Sequence, residues 1–333
     1  MASNEPAAEG KGIDTSRLDL AILVPCYNEG RAIAKVVADF RAALPGATVY
    51  VYDNNSSDDT VAAAKAAGAV VRHETHQGKG HVVRRMFNDI EADIYVLVDG
   101  DATYNAPSAP AMIGKLIEDR LDMVVAMRVV VAMRVDRDEA AYRPGHRAGN
   151  RLLTGFVAHI FGRAFSDILS GYRVFSRRFV KSFPILSGGF EIETELTVHA
   201  LELELPVGEL ATPYYSRPAG SASKLSTWQD GFRILWTVLK LYRAERPLSL
   251  FGAFGIALII MSIGLAIPII ITYVQEGLVP RLPTAVLSTG LMVLAFLSIA
   301  CGLILDTVTR GRREAKLIAY LALRAPGEER RRS

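Results

Sequence analysis

In the first half of the chain, short apolar runs alternate with longer stretches whose apolar residues recur at helical spacing. LAILVP, TVYVYD, AVVRHE, DIYVLVD and DMVVAMRV have the length and composition of strands. Between them, EGRAIAKVVADFRAAL and DDTVAAAKAAG carry the helical period. Strands and helices in alternation predict an α/β fold with a mainly parallel sheet. Ligands of such sheets sit beyond the carboxyl ends of the strands. Polar residues fall there in this chain: Asn28 and Glu29, then Asp53, then Asp99 and Asp101. Because strand side chains alternate, Asp99 and Asp101 at the end of DIYVLV are expected to point the same way.

Beyond Asp136 the alternation fades. GHRAGNRLLTGFVAHIFG has a helical pattern, SDILSGYRVFSRRFV is expected as a loop leading into a helix, and FEIETELTVHALEL as a helix. The hexapeptide VVAMRV at 124–129 is repeated at once at 130–135, far too little for a repeat architecture. Whether Arg128 or Arg134 stands at the strand end is left open. In STWQDGFRILWTVLKLYRAERP the residues Trp228, Phe232, Leu235, Leu239 and Tyr242 form one stripe, the pattern of a helix lying in a membrane interface.

Two stretches, Pro247 to Val274 and Leu282 to Val308, carry almost no charge and exceed the ~20 residues that cross a bilayer as a helix. They are apolar on every face, as transmembrane helices are. Arg243 and Arg246 precede the first, Arg310, Arg312, Arg313 and Lys316 follow the second, and the connection offers only Arg281. This bias predicts an integral protein of the inner or plasma membrane with both termini cytoplasmic. The expected organisation is a loose tail (1–17), an α/β domain (18–225), an interfacial helix (226–246), a membrane hairpin (247–308) and a basic tail (309–333).

Composition agrees: 50% of the 333 residues are hydrophobic and only 22% charged. The net charge of +3 decides little, but basic clusters in GHRAGNR, FSRRFVK and YSRPAGSASK suit phosphates or an anionic membrane rather than nucleic acid. Two cysteines, Cys26 and Cys301, lie too far apart in kind of segment to suggest a disulfide. His73, His76 and His81 straddle a strand end, a loop and a helix start, a poor pattern for zinc.

The aspartates suggest a hard cation. Mg²⁺ or Mn²⁺ takes oxygen ligands, commonly one or two carboxylates completed by water and substrate phosphates. Asp53 can accept hydrogen bonds from a base or ribose, and QGKGHVVRRMF puts glycines and Lys79 ahead of a helix whose N-terminus suits phosphate. No G-x-G-x-x-G follows the first strand, GKG lacks P-loop spacing, and there is no G-x-S-x-G elbow.

Taken in order, VPCYNEG, YDNNSSDDT, QGKGHVVRRMF, DGDATY, SGYRVFSRRF, GFEIETEL and RPAGSASKLSTWQDG resemble the family 2 glycosyltransferases of GT-A fold, in their polyprenyl-phosphate (dolichol-phosphate-mannose-synthase-like) branch. The resemblance covers roughly Leu20 to Arg246. It implies a Rossmann-like nucleotide-sugar domain in which Pro25, Tyr27, Glu29, Asp53, Lys79 and Gly100 surround the donor and Asp99 and Asp101 hold metal and sugar diphosphate. It further implies that Arg128 or Arg134, Arg151 and Arg173 grip acceptor phosphate, with Arg217, Ser223 and Lys224 near the membrane side. Asp167, Asp101 and Arg151 are the implied catalytic positions, and Glu191 and Glu195 match acidic positions after the acceptor loop. DGDATY departs from the D-x-D-x-Q of many relatives.

The function implied is inverting transfer of a hexose from a UDP- or GDP-sugar to a polyprenyl phosphate on the cytoplasmic leaflet, dependent on Mg²⁺ or Mn²⁺, in the making of cell-envelope glycans. The partners are then the nucleotide sugar, the lipid phosphate and the bilayer, with a homo-oligomer left open. Two alternatives stand beside it: a transferase acting on a polysaccharide or another lipid-linked acceptor, and a non-catalytic nucleotide-sugar-binding membrane scaffold. Processive synthases carry Q-x-x-R-W, which QDGFRILW does not reproduce. The sugar, base and lipid length are not legible.

Overall fold

The computed structural model describes residues 18–130, 167–185, 188–189, 191–216, 242–243 and 245–325. Most of the apolar runs become strands whose two faces are covered, as in parallel sheets generally, while the edge strand Val70–His73 is largely exposed. They are β1 (Leu20–Cys26), β2 (Thr48–Asp53), β3 (Val70–His73), β4 (Ile94–Leu97) and β5 (Met123–Val130). Two further strands, β6 (Arg173–Ser176) and β7 (Val207–Tyr214), complete a seven-stranded sheet among the described residues, ordered β3-β2-β1-β4-β6-β5-β7. β6 alone runs antiparallel, between β4 and β5, so the sheet is mainly parallel as expected.

Helices α1 (Ile33–Ala43), α2 (Thr60–Ala66), α3 (Lys79–Asp89) and α4 (Ala109–Glu118) connect the parallel strands. Ile33, Val36, Val37 and Phe40 of α1 pack with Met112, Ile113 and Leu116 of α4 in the core over one sheet face. Helix α5 (Arg177–Ser182) starts at Ser176, whose hydroxyl accepts from Phe179 N at 3.2 Å. Helix α6 is Ile192–Glu202, inside the expected helix.

The chain reverses direction across the sheet between β1 and β4. From β1 it winds outward through β2 and β3, then returns to lay β4 against the other side of β1. This switch point brings the carboxyl ends of β2, β1 and β4 together. The pairing aligns Cys26 with Asp53, and Asp53 with His73.

SGYRVFS is not a plain loop: Arg173–Ser176 is a fully buried strand, which its neighbours β4 and β5 impose by antiparallel pairing. The aspartates also lie beyond their strand, which ends at Leu97, in a turn that Ala102 makes with φ of +59°. The first VVAMRV copy forms β5, so Arg128 is the strand residue. Arg134 lies outside the described residues, with the helix expected at GHRAGNR and most of the interfacial helix.

The chain divides into two compact units, residues 1–234 with 316–333, and 235–315. In the second unit, helix α7 (Pro247–Glu276) and most of helix α8 (Leu282–Leu321) are long and apolar enough to cross a membrane. α7 starts at a proline and ends on Gly277 with φ of +68°, a left-handed cap. The two helices exchange hydrogen bonds: Ser262 Oγ donates to Ser288 O at 2.7 Å and Ser288 Oγ donates to Ser262 O at 3.0 Å. Gly255 and Gly302 permit close approach, since a Cβ at Gly255 would sit 2.7 Å from Ile299 and one at Gly302 3.1 Å from Phe251.

In the first unit, the last residues of α8 pack among the sheet's own polar groups. Asp122 is buried and accepts from Tyr320 Oη at 2.7 Å, from Ser176 Oγ at 2.6 Å and from Arg178 at 2.5 and 2.8 Å. Lys316 donates to Glu202 at 2.6 Å. Near them His199 is 1% exposed between Phe179 and Phe183, and neither ring nitrogen has a hydrogen-bond partner among the described residues. Burial, aided by Lys316, pushes its pKa down to about 3.

Tyr320→Phe should destabilise the protein by roughly 1.5–3 kcal/mol, the usual worth of a hydrogen bond to a charged group, measured by denaturant unfolding. His199 is neutral when folded and takes a proton near its ordinary pKa when unfolded. Its contribution is therefore complete above about pH 6.5 and is lost as pH falls from there toward 3. His199→Leu should flatten that decline in a stability-versus-pH series.

Candidate active site

Three loops meet at the switch point. After β1, Asn28 has φ of +52°, its N–H donates to Ser56 Oγ at 2.9 Å, and its Oδ1 accepts from Ser57 N at 2.8 Å. Glu29 N donates to Thr60 Oγ1 at 2.9 Å, and Gly30 N to Asp58 Oδ2 at 3.0 Å. The loops after β1 and β2 are thus stitched together through NNSSDDT. Tyr27 stands at the rim, 39% exposed.

Asp53 at the end of β2 is only 2% exposed. Its carboxylate accepts from Ser56 N at 3.3 Å and meets His73 Nδ1 at 3.1 Å. Beside it Asn54 clamps the loop after β3: its amide donates to Glu74 O at 2.9 Å and His76 O at 2.8 Å, and its Oδ1 accepts from Gly78 N at 2.7 Å. Gly78 is required twice over. Its φ is +133°, and a Cβ there would lie 2.1 Å from Gly188 O.

This clamp delivers Lys79, first residue of α3, to the middle of the site. Its Nζ donates to Asp99 Oδ1 at 2.5 Å and to Glu193 Oε1 at 2.5 Å. Burial works against the charge, but Asp99 and Glu193 together raise the Lys79 pKa well above its ordinary value. Glu193 comes from α6, and its second oxygen has no hydrogen-bond partner among the described residues.

Asp99 is the more open carboxylate of the turn, with 30% of its side chain exposed. Asp101 is 4% exposed, and its Oδ1 accepts from Thr103 N at 3.2 Å and Thr103 Oγ1 at 2.6 Å. Gly100 between them packs on Cys26, where a Cβ would sit 2.7 Å from Sγ. Gly171 faces Asp99 with no room for a side chain, since a Cβ would lie 2.2 Å from Oδ2. Gly171 N donates to Tyr104 Oη at 2.8 Å, and Tyr104 feels the charges of Asp99, Arg128 and Lys79.

Arg128 and Asp167 form a bidentate ion pair, Nε to Oδ2 at 2.5 Å and Nη2 to Oδ1 at 2.8 Å. The guanidinium also lies 5.4 Å from the Tyr214 ring centroid. Arg128 stands opposite Thr212 of β7, two residues before β5 ends at Val130, and its charge acts on Tyr104 together with those of Asp99 and Lys79.

Arg173 does not fit the expectation of an acceptor-phosphate ligand. It is fully buried at 0% exposure and donates to Ile168 O and Thr197 Oγ1, at 2.5 and 2.9 Å, and to Ser170 O at 2.9 Å. Burial lowers its pKa to about 10. It props up the loop carrying Asp167 and Gly171 from beneath. Glu191 stands at the N-cap position of α6 without a side-chain cap bond and Glu195 sits half-buried one turn on, whereas the acidic residue that meets Lys79 is Glu193, which sequence reasoning passed over. The available signal was its place in FEIETEL, one residue from the buried Ile192. Arg151, Arg217, Ser223 and Lys224 lie outside the described residues.

A mainly parallel sheet with a carboxylate rim at its switch point is the architecture of GT-A glycosyltransferases. Residues 21–183 match the family model described as Glycosyl transferase family 2. Glycosyltransferase AglJ of Haloferax volcanii is 34% identical over 279 residues, 82% of this chain and 88% of that protein. A dolichyl-phosphate hexose transferase of the same organism is 27% identical over 228 residues, covering 68% of this chain and 96% of the relative. In fold the chain is similar to Mycobacterium tuberculosis glucosyl-3-phosphoglycerate synthase, solved with Mn²⁺, UDP and glucosyl-3-phosphoglycerate. The TM-score is 0.56 at 19% identity, over 72% of this chain and 86% of that one. The protein belongs to glycosyltransferase family 2.

Gly171→Ala should displace the Asp99 carboxylate and lower transfer on the order of 100-fold, as misplacement by about 1 Å does, with the far-ultraviolet circular dichroism unchanged.

Proposed function

We propose that this glycosyltransferase moves a hexose, with inversion, from a UDP- or GDP-sugar to a polyprenyl phosphate at the cytoplasmic leaflet. The observation that carries the reading is the convergence of Asp53, Asp99, Asp101 and Lys79 on one rim, in a chain that also has two helices fit to cross a membrane. The Haloferax dolichyl-phosphate hexose transferase, similar along most of its length, supports a lipid-phosphate acceptor.

Asp99 and Asp101 would hold Mg²⁺ or Mn²⁺. The donor set suits a hard cation, Asp99 already draws the Lys79 ammonium, and Gly171 leaves its second oxygen unhindered by a side chain. When bound, the ion neutralises charge that builds on the departing diphosphate. Asp53 receives the nucleoside, and the α3 N-terminus with Lys79 faces the diphosphate. The acceptor phosphate oxygen forms the new bond to the anomeric carbon as the bond to the diphosphate oxygen breaks.

A phosphomonoester is already largely ionised at neutral pH, its second pKa being ~6, so the nucleophile needs positioning more than deprotonation. Arg128, Arg151, Arg217 and Lys224 are proposed to position it, and Ser223 to assist. Asp167, paired with Arg128, orients that arginine. Residues 226–246 are proposed as an interfacial helix that keeps the site at the leaflet, where effective concentration replaces diffusion.

Transfer from labelled UDP- and GDP-sugars to undecaprenyl and dolichyl phosphate vesicles, with Mg²⁺, Mn²⁺ or chelator, tests this. One donor should label the lipid, and chelator should abolish labelling; unlabelled lipid with every donor would sink the acceptor assignment. In the same assay Asp99→Ala and Asp101→Ala should lose more turnover than Asp167→Ala.

A further inference from the structure

The Lys79 ammonium sits between two carboxylates contributed by distant parts of the chain, Asp99 and Glu193, at 2.5 Å from each. Both the lysine and Glu193 are more than nine-tenths buried as side chains, while Asp99 is open to the outside. One ammonium meets two carboxylates, and Asp99, the more exposed of them, offers oxygen ligands that suit a divalent cation. The same lysine nevertheless occupies Asp99. A cation arriving there meets an ammonium already hydrogen-bonded to its ligand, and must displace it. The structure supplies a destination: Glu193 Oε2 is buried and has no hydrogen-bond partner among the described residues. An ammonium offers three donors and can turn between acceptors on its flexible stem.

We propose that Lys79 is an internal counter-cation that guards Asp99 until the donor complex arrives, and that Glu193 is the positioning residue to which it is handed when the metal takes its place. This rests on the reading of Asp99 and Asp101 as the metal-diphosphate site. The bridge keeps the carboxylate rim folded without metal, and it makes metal binding weak until a nucleoside diphosphate enters with it. Once released from Asp99, Lys79 points a charge at the diphosphate from the Glu193 side. A purely structural bridge would also hold the rim, but its lysine would stay on Asp99 and its effect would not depend on Glu193 in the way a hand-over does.

The test measures Mn²⁺ binding to the full-length protein in micelles, by the electron paramagnetic resonance signal of the free ion, with and without UDP. Lys79→Met should tighten binding of Mn²⁺ alone on the order of tenfold, about 1.4 kcal/mol, while weakening the Mn²⁺-dependent binding of UDP. Glu193→Gln should weaken binding of Mn²⁺ alone, because the lysine then falls wholly to Asp99. In the double variant that weakening should vanish, the coupling expected if Glu193 acts through Lys79. Lys79→Gln, which keeps a donor toward both carboxylates, is the second variant if Lys79→Met does not fold, with the same expected sign. Affinity for Mn²⁺ alone that is unchanged or lower in the lysine variants, or an equal Glu193→Gln effect in both backgrounds, overturns the proposal. Failure of the wild type to take up Mn²⁺ even with UDP would instead remove the metal-diphosphate reading on which it stands.

Discussion

The bridge from Lys79 to Asp99 and Glu193 resolves a conflict created by the fold. Parallel strands deliver their carboxyl ends to one edge, and here that edge carries Asp53, Asp99 and Asp101 within a few residues of the strand ends. Like charges gathered on one edge repel one another and so oppose the folded state. The ammonium of Lys79 and the imidazole of His73 answer two of the three, and Thr103 answers the third by hydrogen bonding. Each partner is held by another element: Lys79 by the Asn54 clamp and the Gly78 turn, Glu193 by α6. The site is therefore a product of tertiary packing, and its charge balance depends on α6 staying against the sheet.

A second constraint is the close approach of backbones. Gly78 against Gly188, Gly100 against Cys26 and Gly171 against Asp99 are places where a single methyl group would displace the loops of the candidate site. In the hairpin, Gly255 and Gly302 serve a different end, letting α7 and α8 approach closely enough for Ser262 and Ser288 to exchange hydrogen bonds. In hydrocarbon an unmet hydroxyl is costly, so these reciprocal bonds favour one register of the two helices.

Much of the sheet was legible because its strands are continuous apolar runs and its connections carry the helical period. β1 to β5 and the two apolar helices lie where the pattern predicts them. β6 was not legible: RVFSRRF mixes arginines with apolar residues, and it becomes a strand because pairing on both sides outweighs local preference. β7 was missed for a related reason, since VGELATPY contains a glycine and a proline and pairs with β5 alone. Asp53, Asp99 and Asp101 were legible as polar residues at strand ends, and Lys79 as a basic residue at a helix start. Arg173 misled because a basic residue in a basic cluster looks like a phosphate ligand, and only the structure reveals three oxygen partners around a fully buried guanidinium. Glu193 escaped because α6 is buried on nearly every side, so helical periodicity could not tell the carboxylate that meets Lys79 from Glu191 and Glu195.

The Arg128 to Asp167 pair fastens two points thirty-nine positions apart in the chain. Between them falls the second copy of VVAMRV, of which only Val130 belongs to the strand that pairs along its whole length with β7. Chain added between fixed ends costs closure entropy only as the logarithm of length, so six extra residues in such a span cost about 0.2 kcal/mol. The Arg128 to Asp167 pair thus holds the two ends of the span together at the rim whatever length of chain separates them, and an added hexapeptide destabilises the fold hardly at all.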